Sequence, residues 1–224
     1  MKNIFSIVIF LGFYSMLLGQ ECHEYFPFKE GTEWEITSYD EKDKVLSVNN
    51  YKIIGRSGNT AEINFSSLDK KGKEIVNITS KWFCDDNNIS FEMKDMFPQS
   101  AAMNNTKAEM KFSGKNLDFP KTMKVGDKLP DADAKLEMFI DGMRFMSMNI
   151  FITERLVEKN EQITTPLGTF DCIKISQSSE IKSIISNKSK SSSWISKSKG
   201  LVKSENYNSK GKLTGYQLMT RFKF

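Results

Sequence analysis

The sequence predicts a mainly β protein, built as a single antiparallel sheet of roughly ten to twelve strands that is strongly curved or closed into a barrel, with one short helical or irregular insertion. Segments rich in Val, Ile, Phe, Tyr, Trp and Thr alternate with short turns containing Gly, Asn, Asp and Lys, as in antiparallel sheets. The chain is 39% hydrophobic with 17 Phe, enough to form one substantial core.

The first twenty residues predict export. Lys2 precedes a nearly uncharged apolar run, Ile4 to Leu18, which has the length of a signal-peptide core and is short of the ~20 residues that span a bilayer. We therefore predict a cleaved signal peptide at 1–20 and a single β-rich domain at 21–224, located in the periplasm or outside the cell as a soluble protein. No transmembrane segment is expected in the mature chain. Glu21 stands before Cys22, where a lipoprotein signal has a small residue, so no lipid anchor is expected.

The alternation of apolar and polar residues predicts the strands in order. They are expected at 33–40, 45–56, 60–69, 74–84, 88–94, 106–112, 134–140, 143–159, 169–186, 191–197, 200–207 and 212–223. Sequential strands should pair as a meander. The clearest hairpin turns at Asp141-Gly142, because Asp-Gly suits a two-residue turn whose twist matches that of the strands.

Three stretches depart from the alternation. Residues 95–105 contain a proline followed by good helix formers and are predicted to make one or two helical turns. Residues 117–133 hold two prolines and are predicted to be an ordered loop that crosses one end of the sheet. The Ser/Lys-rich span 186–200, with Trp194 and Ile195 inside it, is predicted to be an exposed edge hairpin.

Composition and motifs argue against several functions. The chain without residues 1–20 has a net charge of +3, and its Lys and Arg are mixed with Asp and Glu, so no nucleic acid partner is expected. His23 is the only histidine and lies near the mature N terminus, where we expect it at the surface, which disfavours a Ser-His-Asp or Cys-His centre. The sequence has no GxGxxG, P-loop or GxSxG motif, and Asp131-Ala132-Asp133 lacks the rest of a calcium loop. We predict no catalytic residues, no cofactor and no metal site.

Three cysteines remain after the signal: Cys22, Cys84 and Cys172. In an oxidising compartment an odd number allows one disulfide and one free thiol, and the sequence leaves all three pairings open. A zinc site using these cysteines and His23 is the first alternative, although no CxxC pair is present. Buried free thiols are the second.

The chain has twelve methionines, concentrated in its middle third. Flexible, polarizable thioethers suit a cavity for acyl chains, and Met138, Met146 and Met148 lie on the apolar face of the Asp141-Gly142 hairpin, so we predict them as ligand-binding residues. Core filling is the simpler explanation of the same pattern, and Cu(I) ligation is a third.

Three segments resemble a known family. They are CHEYFPFKEGTEWEITSYDEKDK, ITERLVEKNEQITTPLGTFDCIKI (152–175) and SWISKSKGLVKSENYNSKGKL (193–213), with TTPLGTFDCIKI the most specific. In this order they resemble a family of exported Bacteroidetes-type proteins that is labelled TapB-like and related to a domain of unknown function. The resemblance runs along the whole mature chain and implies an exported domain with a curved sheet or half-open barrel like those of lipoprotein carriers. It implies no established reaction and no functional residues.

These observations favour a noncatalytic envelope protein that binds an apolar or amphipathic ligand, such as a lipid or acyl chain, between the concave face of the sheet and the 95–133 region. The alternative is a structural or protein-interaction module of the envelope that uses the edge near 190–200 and no small ligand. An enzyme with two catalytic carboxylates brought together by the fold is the third hypothesis.

Overall fold

The structure, a computed structural model, describes residues 22–96 and 108–224. The predicted signal peptide and most of the predicted helical segment at 95–105 lie outside these residues; Met93–Met96 form a 3-10 turn. The strands are β1 Glu33–Asp40, β2 Val45–Ser57, β3 Thr60–Asp69, β4 Glu74–Cys84, β5 Asn88–Phe91, β6 Ala108–Gly114, β7 Leu117–Pro120, β8 Ala132–Ile140, β9 Met143–Thr165, β10 Gly168–Lys182, β11 Asn187–Ser196, β12 Gly200–Asn208 and β13 Leu213–Lys223. The predicted fold class is confirmed, because these strands form one antiparallel sheet of 13 strands.

The strand order defines two ends of the sheet. It is β6-β8-β9-β10-β11-β12-β13-β1-β2-β3-β4-β5-β7, so neighbouring strands mostly follow each other in sequence as a meander. We call one end the open rim; its turns are 41–44, 70–73, 141–142, 183–186 and 209–212. We call the other the closed end; it contains residues 22–32 and the connections 58–59, 85–87, 121–131, 166–167 and 197–199.

The sheet curls into a half-open barrel. Its edge strands, β6 and β7, are joined by only Lys115 and Asn116, so the last residue of one edge lies close to the first residue of the other. Arg155 of β9 connects across the seam: its Nη1 donates a hydrogen bond to the carbonyl oxygen of Asp118 in β7 at 2.8 Å. The barrel stays open because, among the described strands, β6 pairs only with β8 and β7 only with β5.

The predicted edge hairpin at 186–200 is wrong. The strand β11 pairs with β10 on one side and β12 on the other. Two of its serines lie opposite serines of the neighbouring strands, Ser192 opposite Ser176 and Ser193 opposite Ser204. The exposed Lys188 and Lys190 of β11 lie near the rim.

The short strand β7 lies inside the predicted loop 117–133. Its four residues pair with β5, with Leu117 opposite Phe91 and Pro120 opposite Asn88. Proline, which has no N–H to donate, is tolerated here because β7 is an edge strand. Only residues 121–131 cross an end of the sheet, and this is the closed end.

The N-terminal segment 22–32 plugs the closed end of the barrel. The Gly200 N–H donates to the Tyr25 carbonyl at 2.8 Å, and Ile53 and Gly31 complete the backbone hydrogen bonds that lead into β1. Phe26 packs against the rings of Phe91 and Phe119, each with ring centroids 5.1 Å away. This segment belongs to the largest hydrophobic core of the described residues, which fills the half of the barrel nearer the closed end.

Candidate functional site

A cavity of about 620 Å³ lies on the concave face, between the N-terminal plug and the open rim. Below, "upper" means nearer the open rim and "lower" means nearer the closed end. Trp82 and Phe91 lie at its lower end, and both also pack around Phe26 of the plug. Ile75 lines its end near the rim, two residues after the turn 70–73, and is half exposed, so the cavity opens toward the rim. Strands from β2 to β5, β7, β12 and β13 contribute the lining: Asn49, Tyr51, Ile63, Phe65, Ser67, Ile75, Val76, Ile78, Ser80, Trp82, Phe91, Glu92, Leu117, Leu201 and Gln217.

The lower wall of the cavity is apolar and aromatic. Tyr51 stacks on Trp34 with ring centroids 5.0 Å apart, and its ring also contacts that of Phe65. Alternation along each strand places these rings on one face, because successive side chains of a strand point to opposite sides. Burial raises the pKa of Tyr51 to about 12, so this hydroxyl stays neutral and leaves the wall uncharged at physiological pH.

A polar belt crosses the concave face above these rings. We define it as Ser204, Gln217, Ser38, Asn49 and Ser67, one residue from each of five adjacent strands. The Ser204 hydroxyl donates to the Gln217 oxygen at 3.0 Å, and the Gln217 amide donates to the Ser38 oxygen at 3.0 Å.

The belt continues on the other side of Ser38. The Asn49 amide donates to the same Ser38 oxygen at 3.3 Å, and the Ser67 hydroxyl donates to the Asn49 oxygen at 2.7 Å. The belt therefore satisfies its own polar groups, and its members Asn49, Ser67 and Gln217 present uncharged polar groups to the cavity.

His23 lies beneath the cavity as a buried part of the plug, so the expected surface position is wrong. Its side chain is 1% exposed. Its Nδ1 accepts a hydrogen bond from the Tyr25 N–H at 3.1 Å, which leaves the proton on Nε2, and Nε2 donates to the Pro120 carbonyl at 2.8 Å. Burial lowers the pKa of His23 because the imidazolium form would lose its hydration.

The three predicted ligand methionines lie on another part of the sheet. Met138 of β8 faces Met146 of β9, and Met148 faces Leu136, all half-buried except the buried Leu136. Met148 packs against a second hydrophobic cluster that includes Ile150. None of the three lines the cavity described above. Their role in ligand binding stays a prediction, and the apolar space on the concave face lies elsewhere.

The cysteines are divided between two places. Cys22 and Cys84 form a disulfide with Cα atoms 5.9 Å apart, which ties the plug to the end of β4. Cys172 is free and buried beside Trp194 and Val202. Burial raises the pKa of the Cys172 thiol to about 11, so it is a poor nucleophile at neutral pH. Within the described ranges, no three His, Cys, Asp or Glu side chains gather as a metal site requires.

Sequence reasoning missed Arg155, the buried cation of the barrel seam. It is 2% exposed, and its guanidinium lies 4.6 Å from the ring centroid of Phe119. Its Nη1 also donates to the Pro130 carbonyl, while Nε and Nη2 bond to no described residue. Burial lowers its pKa to about 10, so the side chain stays protonated at neutral pH. In the sequence, Arg155 reads as one more polar residue of an alternating strand.

The comparisons with known proteins identify the family. The family model described as DUF3108-like matches residues 29–219. This chain belongs to the DUF3108-like family. The link to a domain of unknown function that the resemblance implied is thereby confirmed, and the narrower TapB-like label stays a prediction. Among proteins with curated functions, none matches the DUF3108-like chain.

Two solved structures share the fold of the DUF3108-like chain. One is a candidate exported protein with a YmcC-like fold from Bacteroides fragilis, at 24% identity and a TM-score of 0.72. The other is a candidate lipoprotein from Parabacteroides distasonis, at 23% identity and a TM-score of 0.72. Each match covers 91% of this chain and 100% of the other. At these identities the likeness establishes the architecture. In the described part of the DUF3108-like chain, no helix has the length and hydropathy needed to cross a bilayer.

Proposed function

We propose that this protein is exported and, without catalysis, binds an apolar or amphipathic ligand such as a lipid or acyl chain. The observation that carries the proposal is the cavity of about 620 Å³ on the concave face. Its size lies inside the range of roughly 300–1,000 Å³ that is usual for small-molecule sites. An apolar wall with a few polar groups on one side is also the usual composition of such sites.

The arrangement of the cavity favours a ligand with one polar end. An acyl chain would lie against Tyr51, Phe65 and Trp82, where burial of apolar surface supplies the binding free energy. A polar head group would lie at the polar belt and accept or donate hydrogen bonds there. The lower end is blocked by the plug, so the ligand would enter from the open rim.

Export is the second part of the proposal. It rests on the signal-like residues 1–20, and the descriptions of the two neighbours as an exported protein and a lipoprotein agree with it. The disulfide between Cys22 and Cys84 suits an oxidising compartment.

The test uses tryptophan quenching by a brominated fatty acid, with the plain fatty acid as reference, on protein from which lipid has been extracted. Trp82 lines the cavity, so we expect saturable quenching by the brominated ligand that is reduced in Trp82→Phe, with the remainder from Trp34, whose ring centroid lies 5.7 Å from that of Trp82. Ser80 is buried in the lining, and Ser80→Phe should fill the cavity and weaken binding by about tenfold or more.

Thr79→Phe is the matched control, because Thr79 is the exposed neighbour of Ser80 on the same strand. It should bind as the wild type does. Near-ultraviolet circular dichroism checks that both variants keep the fold. Equal binding by Ser80→Phe and wild type would refute the cavity as the site. A wild type that shows no quenching would favour the interaction module without a small ligand.

A further inference from the structure

Three hairpins of the open rim share one turn structure. An Asp or Asn ends the first strand, and its side-chain oxygen accepts hydrogen bonds from the backbone N–H groups two and four residues later. The accepting residues are Asp40, Asp69 and Asn208. In each turn the residue three positions after the accepting Asp or Asn has a positive φ: Asp43 at 62°, Gly72 at 79° and Gly211 at 76°. The two donors are lysines in all three turns.

The repeated turn places pairs of lysines side by side along the rim. The hairpins β12–β13, β1–β2 and β3–β4 are consecutive in the sheet, so their pairs form one continuous arc. The arc consists of Lys42 and Lys44, Lys71 and Lys73, and Lys210 and Lys212, all exposed. Among the described residues none of these six ammonium groups takes part in an ion pair, whereas the rim cations Arg144, Lys182 and Lys188 pair with Glu137 or Glu180. The arc therefore concentrates positive charge at the rim, offset in part by the Asp40 and Asp69 carboxylates that close two of the turns.

The two ends of the barrel differ in charge. With Asp40 and Asp69, whose carboxylates close two of them, the five rim turns contain seven lysines and five acidic residues, a net charge of +2. The closed-end segments 22–32, 58–59, 85–87, 121–131, 166–167 and 197–199 contain six lysines and six acidic residues. The protein thus presents an electrostatic polarity along the barrel axis, positive at the cavity mouth.

Large apolar side chains are exposed between and beside these lysines. Met143 and Phe145 lie at the start of β9 and are exposed. The pairing of β9 with β10 ends at Asn149, so the hairpin that contains Met143 and Phe145 extends beyond β10 at the rim. Ile184, fully exposed, stands at the next rim turn. The exposed large apolar residues of the rim are Val45, Leu46, Ile75, Met143, Phe145, Ile184 and Ile185.

We propose that the open rim is a docking surface for an anionic lipid bilayer. Lysines gain attraction from the negative surface potential of such a membrane, and exposed apolar side chains gain from entering the boundary between head groups and acyl chains. Protruding apolar tips have no partner on the phosphate backbone of a nucleic acid, so the combination favours a membrane. Docking would place the mouth of the cavity against the bilayer.

The docking surface is separate from the cavity, and binding of a bilayer there does not depend on the proposed cavity function. A protein that binds its ligand from solution would show quenching without binding to vesicles. A protein that only docks on membranes would bind vesicles without showing quenching. The lysine variants leave the turns intact, because the turn hydrogen bonds use the backbone N–H groups of these residues.

The test is co-sedimentation with vesicles of phosphatidylcholine alone or with about 30% phosphatidylglycerol, at low salt and at about 0.5 M NaCl. We expect binding to the anionic vesicles at low salt, with weak binding to the neutral ones. The double variant K71Q/K73Q should weaken it by about tenfold, and the variant with all six lysines replaced by Gln should abolish it. The variant I184S/I185S should also bind several-fold more weakly.

The matched control is K124Q/K128Q. It removes the same charge from exposed lysines at the closed end and should bind as the wild type does. Equal loss in K124Q/K128Q and K71Q/K73Q would show attraction by net charge alone and overturn the docking surface. Absence of wild-type binding to anionic vesicles at low salt would overturn it as well.

Discussion

His23 makes the stability of the plug depend on pH. Its lowered pKa means that the unfolded chain takes up a proton at a higher pH than the folded chain does. The free energy of unfolding should therefore be highest above the unfolded pKa of about 6.5 and decrease as the pH falls below it, by at most about 1.4 kcal/mol per pH unit. Urea unfolding at intervals between pH 8 and pH 5 measures this decrease.

His23→Gln provides the control, since His23 is the only histidine of the chain. Glutamine keeps one donor and one acceptor but does not titrate, so the variant should show a flat stability between pH 8 and pH 5. A wild type as flat as the variant would contradict the buried neutral imidazole.

Residue environments were the hardest feature to predict. The position of His23 near the mature N terminus indicated a surface residue, but the disulfide and the aromatic contacts of Phe26 hold its segment inside the barrel. Arg155 gave no signal, because its partners are backbone carbonyls of Asp118 and Pro130, which sequence types do not reveal. Such environments depend on which distant strands the fold brings together.

Strands, in contrast, could be read from the sequence almost completely. The predicted 33–40, 60–69 and 74–84 have the bounds of β1, β3 and β4, because each has regular alternation and ends at a turn of Asp, Lys or Asn. The strand β7 was missed because its four residues end in proline and its order comes from distant partners: the pairing with β5 and the hydrogen bonds from Arg155 and His23 to its carbonyls. An alternation of apolar and polar residues over fewer than five positions cannot be distinguished from the sequence of a loop.

The disulfide between Cys22 and Cys84 should stabilise the folded protein by tying the N-terminal segment to β4. It joins residues separated by 62 positions, and closing a loop of this length in the unfolded chain corresponds to about 4 kcal/mol of stability. We expect Cys22→Ser to lower the free energy of unfolding by up to this amount and to make unfolding insensitive to dithiothreitol. Non-reducing peptide mapping should recover Cys22 linked to Cys84.

Cys172→Ala is the matched control for the disulfide. It removes the buried free thiol, so it should cost about 1 kcal/mol from lost packing and leave the dithiothreitol sensitivity of wild type unchanged. Recovery of a peptide linking Cys172 to either other cysteine would contradict this pairing.

The half-open barrel determines where a ligand site can lie. The sequence indicated a concave apolar face and predicted ligand-binding residues where the alternation is clearest, at Met138, Met146 and Met148, whose role stays a prediction. The cavity on which the proposal rests lies between strands as distant in the chain as β2 and β13, because the plug fills the half of the barrel at the closed end and leaves the space on its rim side. The position of a cavity depends on how the whole molecule packs, so the alternation of residues along single strands does not predict it.

The curvature that brings the two edges of the half-open barrel together depends on the corner where β6 passes into β7. Gly114 ends β6 with a φ of +132°, and a Cβ atom there would lie 2.2 Å from the carbonyl oxygen of Asp133. Gly168 has a nearly equal φ of +125° with no atom within 4 Å of the same position, which makes it a matched control. Gly168→Ala should cost about 1–2 kcal/mol from backbone strain alone.

Gly114→Ala should cost about 1–3 kcal/mol more than Gly168→Ala, because the backbone of β8 must move to relieve the contact. Urea unfolding of both variants gives the difference. Hydrogen exchange should show the movement directly, with faster exchange of the β6–β8 amides in Gly114→Ala and unchanged exchange in β2 and β3. Equal stability of the two variants would mean that the corner is not held by this close approach, and that Arg155 is the contact that holds the seam.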